Sequence, residues 1–173
     1  RARFEREVQI LAALKHPRIA TIHDSGVASH CHYFVMDYIQ GLPLDAWMTC
    51  RQRSTEEVLR LFAKICDAVN AAHVKGIIHR DLKHGNIRID EHGEPHILDF
   101  GLAKVTTDGR KQAEPDLDVG SSGSMTAVGQ FVGSLPWTSP EQAQGRIDQI
   151  DTRTDVYALG VTLYHMLTGR FPY

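Results

Sequence analysis

The run His79-Arg80-Asp81-Leu82-Lys83-His84-Gly85-Asn86, followed after a short apolar strand pattern by Asp99-Phe100-Gly101, constrains this chain more than any other feature. Asp81 and Asn86 fall on one short polar loop between apolar segments, where side chains can converge on a ligand. Asp99 comes directly after the strand pattern, at a mouth where a divalent cation can be held. An amide and two carboxylates are hard oxygen ligands, suited to magnesium bound together with phosphate oxygens. Lys83 adds a cation able to offset charge on a transferring phosphoryl group. Together these groups suit phosphoryl transfer.

The rest of the composition narrows the field. A chain of 173 residues with 42% apolar and 23% charged residues can bury one sizeable core. A formal net charge of −2 offers no broad basic face for nucleic acid or a membrane surface. Cys31, Cys50 and Cys66 form no CxxC pair, so reduced thiols in a cytoplasmic setting are expected. His30-Cys31-His32 reads as a polar lead into a strand rather than a metal site. No apolar run reaches the roughly 18 residues that span a bilayer. The sequence lacks an initiating Met, and both of its ends read as cut.

Periodicity places the elements. Phe4, Val8, Leu11 and Leu14 paint one helical stripe, which His16-Pro17 ends. Ile19 to His23 and Tyr33 to Tyr38 read as an antiparallel pair turning at Asp24-Ser25-Gly26. Ser54-Thr55-Glu56-Glu57 is a capping box, opening a helix whose face carries Val58, Leu61, Phe62, Ile65, Val69 and Ala72 and which stops at Gly76. Short strands at Ile87–Ile89 and His96–Leu98 flank a hairpin turn at Asp90-Glu91-His92-Gly93. Asp108 to Ser124 reads as a loop. A last helix, from near Thr154 to about Thr168, is apolar on nearly every side and calls for a larger body around it. The class is α+β.

The ordered set from His79 to Asn86, with Asp99-Phe100-Gly101, resembles the catalytic and magnesium loops of eukaryotic-type (Hanks-type) protein kinases. Lys83 is similar to the serine/threonine branch of that family, and Ser-Pro-Glu-Gln with Thr-Asp-Val-Tyr-Ala-Leu-Gly to its bacterial members. The resemblance implies a protein-kinase-like fold: a partial N-lobe with helix C and strands four and five, then the first part of a mainly helical C-lobe. Residues 1–39 would be the remnant of the N-lobe and hinge, 40–173 an incomplete C-lobe, and about 99–141 the activation segment.

It also implies roles. Asp81 would orient the substrate hydroxyl and accept its proton, and Lys83 would stabilise phosphate charge. Asn86 and Asp99 would ligate magnesium. Glu7 matches the helix C glutamate, Met36 the gatekeeper, and the backbones of Asp37 and Ile39 would meet adenine, so that Mg2+ and ATP are the implied cofactors. Gly133 to Glu141 resembles the P+1 loop and its Ala-Pro-Glu close, with Ser139 in place of Ala. Asp155 matches the helix F aspartate that braces the catalytic loop. A packed spine would run through Leu11, Ile22, His79 and Phe100. Thr126, in a cluster with Ser121, Ser122 and Ser124, is the expected regulatory phosphosite, and Arg80 its receiver. The implied partners are protein substrates with Ser/Thr hydroxyls, and a second copy for autophosphorylation.

Two departures matter. No glycine-rich loop or strand lysine precedes Glu7, so the segment alone is expected to be inactive. Arg88, by strand alternation, points at the floor of the adenine site, where kinases usually place an apolar residue. His84 in place of the usual proline is milder. The rival reading is a pseudokinase scaffold that binds partners without catalysis. A small-molecule phosphotransferase fits the Ser-Pro-Glu segment poorly.

Overall fold

The computed structural model describes residues 14–28, 31–100 and 135–173. Two small antiparallel sheets form. In the first, β1 (Ile22–Ala28) pairs with β2 (Cys31–Met36). In the second, β3 (Gly41–Pro43), β4 (Ile87–Asp90) and β5 (Pro95–Ile97) lie in the order β3-β4-β5. The helices are α1 (Leu44–Thr49), α2 (Thr55–Val74), α3 (Pro140–Ala143) and α4 (Thr152–Thr168). Helix-rich with short sheets, the chain is α+β as its periodicity predicts.

The expected turn at Asp24-Ser25-Gly26 is instead strand, within β1, which absorbs a register shift between Ile22 and Asp24. Turn-forming residue types lose here to ladder hydrogen bonds across to β2. The second hairpin is shifted by one residue, to Ile87–Asp90 and Pro95–Ile97, because Asp90 both accepts from the Glu94 and His92 amides and continues the strand. β3 and α1 were not foreseen: three and six residues are too short to show a period.

α2 begins as its capping box requires. The Glu57 amide donates to Ser54 Oγ (3.2 Å) and the Ser54 amide to Glu57 Oε2 (3.0 Å). Its buried face is Val58, Leu61, Ile65, Ala68, Val69 and Ala72. Those side chains join Leu82, Ile87, Ile89 and Ile97 in one core that also takes in Ala158, Leu159 and Met166 of α4. Ile87 and Ile89 point down into this core, so the alternating period of β4 turns Arg88 to the opposite face. Gly41 is dictated by close approach, since a Cβ there would lie 2.1 Å from the Ile89 carbonyl oxygen.

α4 starts two residues earlier than expected, with Asp151 accepting from the Arg153 amide (2.8 Å). It is buried along Ala158, Leu159, Val161, Thr162 and Met166, while Val156, Tyr164 and Leu167 are exposed. Glu7, Leu11 and Thr126 lie outside the described residues, as does most of the expected activation segment.

Candidate active site

The site is built from the loop between α2 and β4. Its backbone is set by one carboxylate. Asp155, 1% exposed on α4, accepts the His79 amide at 2.8 Å and the Arg80 amide at 2.9 Å. A third partner, His73 Nε2 at the end of α2, lies 2.7 Å from the same side chain. Held this way, Arg80 adopts φ 71°, a left-handed conformation that non-glycine residues seldom take. Asp99 does the same at φ 59°. Two such residues on either side of one loop cluster are stored strain, which persists only when surrounding structure fixes it.

His79 is packed rather than reactive. It is fully buried, its Nε2–H donates to the Leu98 carbonyl (2.8 Å), and its Nδ1 accepts from the Asp81 amide (3.3 Å). Its ring stacks at a tilt on Phe100, centroids 4.7 Å apart. Burial holds the imidazole below its usual pKa, against the pull of Asp155.

Beyond this brace, Asp81 projects half-exposed between two partners. Lys83 Nζ lies 2.8 Å from Asp81 Oδ2. Asn86 Nδ2 donates to the Asp81 carbonyl (2.8 Å) and reaches its Oδ2 at 3.3 Å. With its amide nitrogen engaged, Asn86 keeps Oδ1 as an acceptor. The Leu98 amide donates to the Asn86 carbonyl (2.8 Å), which fixes the strand leading to Asp99 against this loop. Asp99 shows an exposed surface as a residue, yet desolvation around its carboxyl pushes its pKa up. His79 opposes that rise, the Asp81 carboxylate adds to it, and Lys83 opposes it. A desolvated carboxylate beside a second one and an amide oxygen is a donor set that a hard divalent cation stabilises.

A family profile described as "Protein kinase domain" matches residues 1–173. The chain belongs to this family. Over 99% of its length it is 38% identical to serine/threonine-protein kinase PknB of Mycobacterium tuberculosis and 36% identical to serine/threonine-protein kinase PrkC of Bacillus subtilis. It is 34% identical to a probable serine/threonine-protein kinase PknB of Lactococcus lactis. The kinase chain spans about a quarter of the length of these relatives, 26% of the first and 24% of the second.

Asp81, Lys83 and Asn86 thus meet on one loop, with Asp155 bracing its Arg80 and His79 amides and His79 packed on Phe100. Met36 ends β2, and Asp37 follows, tied to the strand before it. The Asp37 amide donates to the Thr21 carbonyl (3.0 Å), its Oδ2 accepts the Thr21 amide (2.8 Å), and its Oδ1 lies 2.6 Å from His23 Nε2. The Thr21 amide and His23 hold this carboxyl below the usual range. Arg88 is half-buried and turns its guanidinium to the main chain between β2 and β3, donating to the Gly41 carbonyl at 2.8 Å and reaching that of Ile39 at 3.5 Å. Both bonds come from Nη1 and tie the side chain to the main chain. Arg88→Leu is expected to cost the kinase domain about 1.5 kcal/mol, in the range for a charged donor to a carbonyl. An unchanged melting temperature of this domain in the full-length protein would show the tie to be energetically empty.

Three participants escape sequence reasoning. His73 looks like any cation in the last turn of a helix. Gln142 donates to the Arg80 carbonyl (2.7 Å) while closing a capping box with Ser139 at the start of α3. The Ser-Pro-Glu-Gln spacing is the signal that could have found that box. Thr154 donates to Glu141 Oε1 (2.5 Å), so Glu141 has a partner on α4.

Proposed function

We propose that the protein containing this domain transfers the γ-phosphoryl group of Mg-ATP to serine or threonine hydroxyls of protein substrates. The observation that carries this reading is the Asp81 carboxylate, fixed between Lys83 and Asn86 on a loop that Asp155 braces. The similarity to three bacterial proteins named as serine/threonine kinases supports it.

In this mechanism Asp81 orients the attacking hydroxyl and takes its proton. Lys83, 2.8 Å from Asp81, offsets charge on the transferring phosphate oxygens. Asn86 Oδ1 and Asp99 would hold magnesium, which when bound supplies neutralisation of phosphate charge. Among the described residues no group of three or more His, Cys, Asp or Glu forms a metal site. A cation held by one carboxylate, one amide and phosphate oxygens would need no protein cage. The backbones of Asp37 and Ile39 would meet the adenine, with Met36 as gatekeeper and Arg88 at the floor of that pocket. Glu7 would pair with a lysine on a preceding strand, and Arg80 would receive a phosphate on Thr126. The division at residue 39, the activation segment at about 99–141, autophosphorylation between copies and a cytoplasmic location belong to the same proposal. No helix among the described residues is long and apolar enough to cross a membrane.

A pseudokinase scaffold is the second reading, and Arg88 is the observation that favours it. One assay separates the two: phosphate transfer from ATP by the full-length protein to a generic serine/threonine substrate, with magnesium and with magnesium chelated. Transfer that stops on chelation is expected. A folded protein with neither transfer nor magnesium-dependent nucleotide binding would establish the scaffold.

A further inference from the structure

Four buried side-chain polar atoms lack a partner among the described residues: His84 Nε2, Trp137 Nε1, Thr162 Oγ1 and His165 Nδ1. All four belong to one cluster. The His84 ring lies 4.7 Å from that of His165 and edge-on to Trp137 at 5.1 Å. Phe171 closes the group, 5.1 Å from Trp137 and 4.5 Å from His165. Thr162 and His165 are one turn apart on α4 and share a face. His84 is 4% exposed and Thr162 fully buried.

The hydrogen-bonding capacities are complementary. The His84 ring donates to the Thr162 carbonyl, and because its Nε2 has no partner, that donor is Nδ1–H. Nε2 is therefore a lone pair seeking a donor. The Trp137 indole N–H can only donate and seeks an acceptor, while the Thr162 hydroxyl can do either. A single water would meet both demands, donating to His84 Nε2 and accepting from Trp137 Nε1. Buried waters typically make about three such bonds, and Thr162 or His165 offers the third. A transition metal fits worse. An indole N–H and a neutral hydroxyl are not its ligands, and two imidazoles leave a tetrahedral shell half filled.

The cluster also joins two functional stretches. His84 opens the 3-10 turn His84–Asn86, which carries Asn86. Trp137 ends the 3-10 turn Leu135–Trp137, which leads into Ser139-Pro140-Glu141. We infer that a buried water held by His84, Trp137, Thr162 and His165 seats the Leu135–Trp137 turn against the Asp81–Asn86 loop, making Trp137 and His84 positioning residues for the peptide substrate. The peptide part of this inference rests on the kinase reading, and the water does not.

The test has two arms on the full-length protein. In a high-resolution crystal structure, a water within about 3 Å of both His84 Nε2 and Trp137 Nε1 is expected. A dry cluster, or a peak there with the anomalous scattering of a metal ion, overturns the inference. In kinetics, Trp137→Phe keeps the ring and removes only the N–H. With a synthetic serine/threonine peptide its KM is expected to rise about tenfold, the loss of one hydrogen bond. KM for ATP and kcat should stay within about twofold. Thr162→Val, which removes a hydroxyl at constant shape, should shift peptide KM in the same direction. Equal changes in the two KM values for both variants would overturn the positioning role. If the unaltered protein transfers no phosphate at all, the kinase reading fails and the crystal structure alone decides the water.

Discussion

Asp81→Asn in the full-length protein is expected to lower phosphoryl transfer by about a thousandfold while the domain stays folded. The first half follows from chemistry. An amide can still accept a hydrogen bond, but it cannot take the proton of an attacking hydroxyl, and a positioned general base contributes roughly 10²–10⁴ in rate. The second half follows from exposure. The Asp81 and Lys83 side chains are 39% and 30% exposed, so their ion pair contributes little to stability, typically below about 1 kcal/mol. Asn at position 81 leaves the main-chain carbonyl that Asn86 Nδ2 already uses. The loss should therefore appear in kcat, with the KM for ATP within a few-fold of the parent and an unchanged melting temperature. Parent-like kcat in this variant would remove Asp81 from the chemistry and take the proposed mechanism with it. A variant that loses activity only because it unfolds would say nothing for Asp81 as a base, which is why the melting curve belongs to the same experiment.

The residues of this site were legible in the sequence, because their order and spacing are carried by one continuous run and a short strand after it. Asp81, Lys83, Asn86 and Asp99 needed no long-range contact to be proposed as candidates. Helix α2 was legible for a similar reason: Ser54 and Glu57 mark its start, and its apolar face repeats over five turns. What the sequence hid is pairwise and distant. His73 and Asp155 stand far apart in the chain, and nothing local to either shows that they meet at 2.7 Å. The turn predicted at Asp24-Ser25-Gly26 failed because tertiary pairing with β2 overrides a local preference. Arg88 falls between these cases. Alternation sets it opposite the buried Ile87 and Ile89, whereas the Gly41 carbonyl that receives it belongs to β3, a strand too short to be seen.

Asp155 should be the costliest residue to remove from the described fold. Its carboxylate is the shared acceptor for the amides of His79 and Arg80 and lies in contact with His73 Nε2, at 1% exposure. In Asp155→Ala two main-chain N–H groups and an imidazole lose their partner in a site that water barely reaches. Each unsatisfied buried donor costs about 1–3 kcal/mol, so a loss of about 3–5 kcal/mol is expected, a large share of a domain's total stability. Asp155→Asn is the discriminating companion. It keeps one acceptor oxygen but sets an NH2 against the second amide, so it should fall between the parent and the alanine variant. The same reasoning predicts a defect beyond stability. The two amide bonds hold Arg80 at φ 71°, and relaxing that conformation turns the next residue, Asp81, away from Lys83 and Asn86. At a temperature where Asp155→Asn is still folded, its kcat is therefore expected to fall at least tenfold, a scale at which small misplacements of reacting groups act. Differential scanning of the full-length protein and steady-state kinetics below the transition measure the two effects separately. A variant that melts early yet turns over normally when folded would make Asp155 a structural residue alone. If stability and kcat both match the parent, the loop is held by something other than this carboxylate.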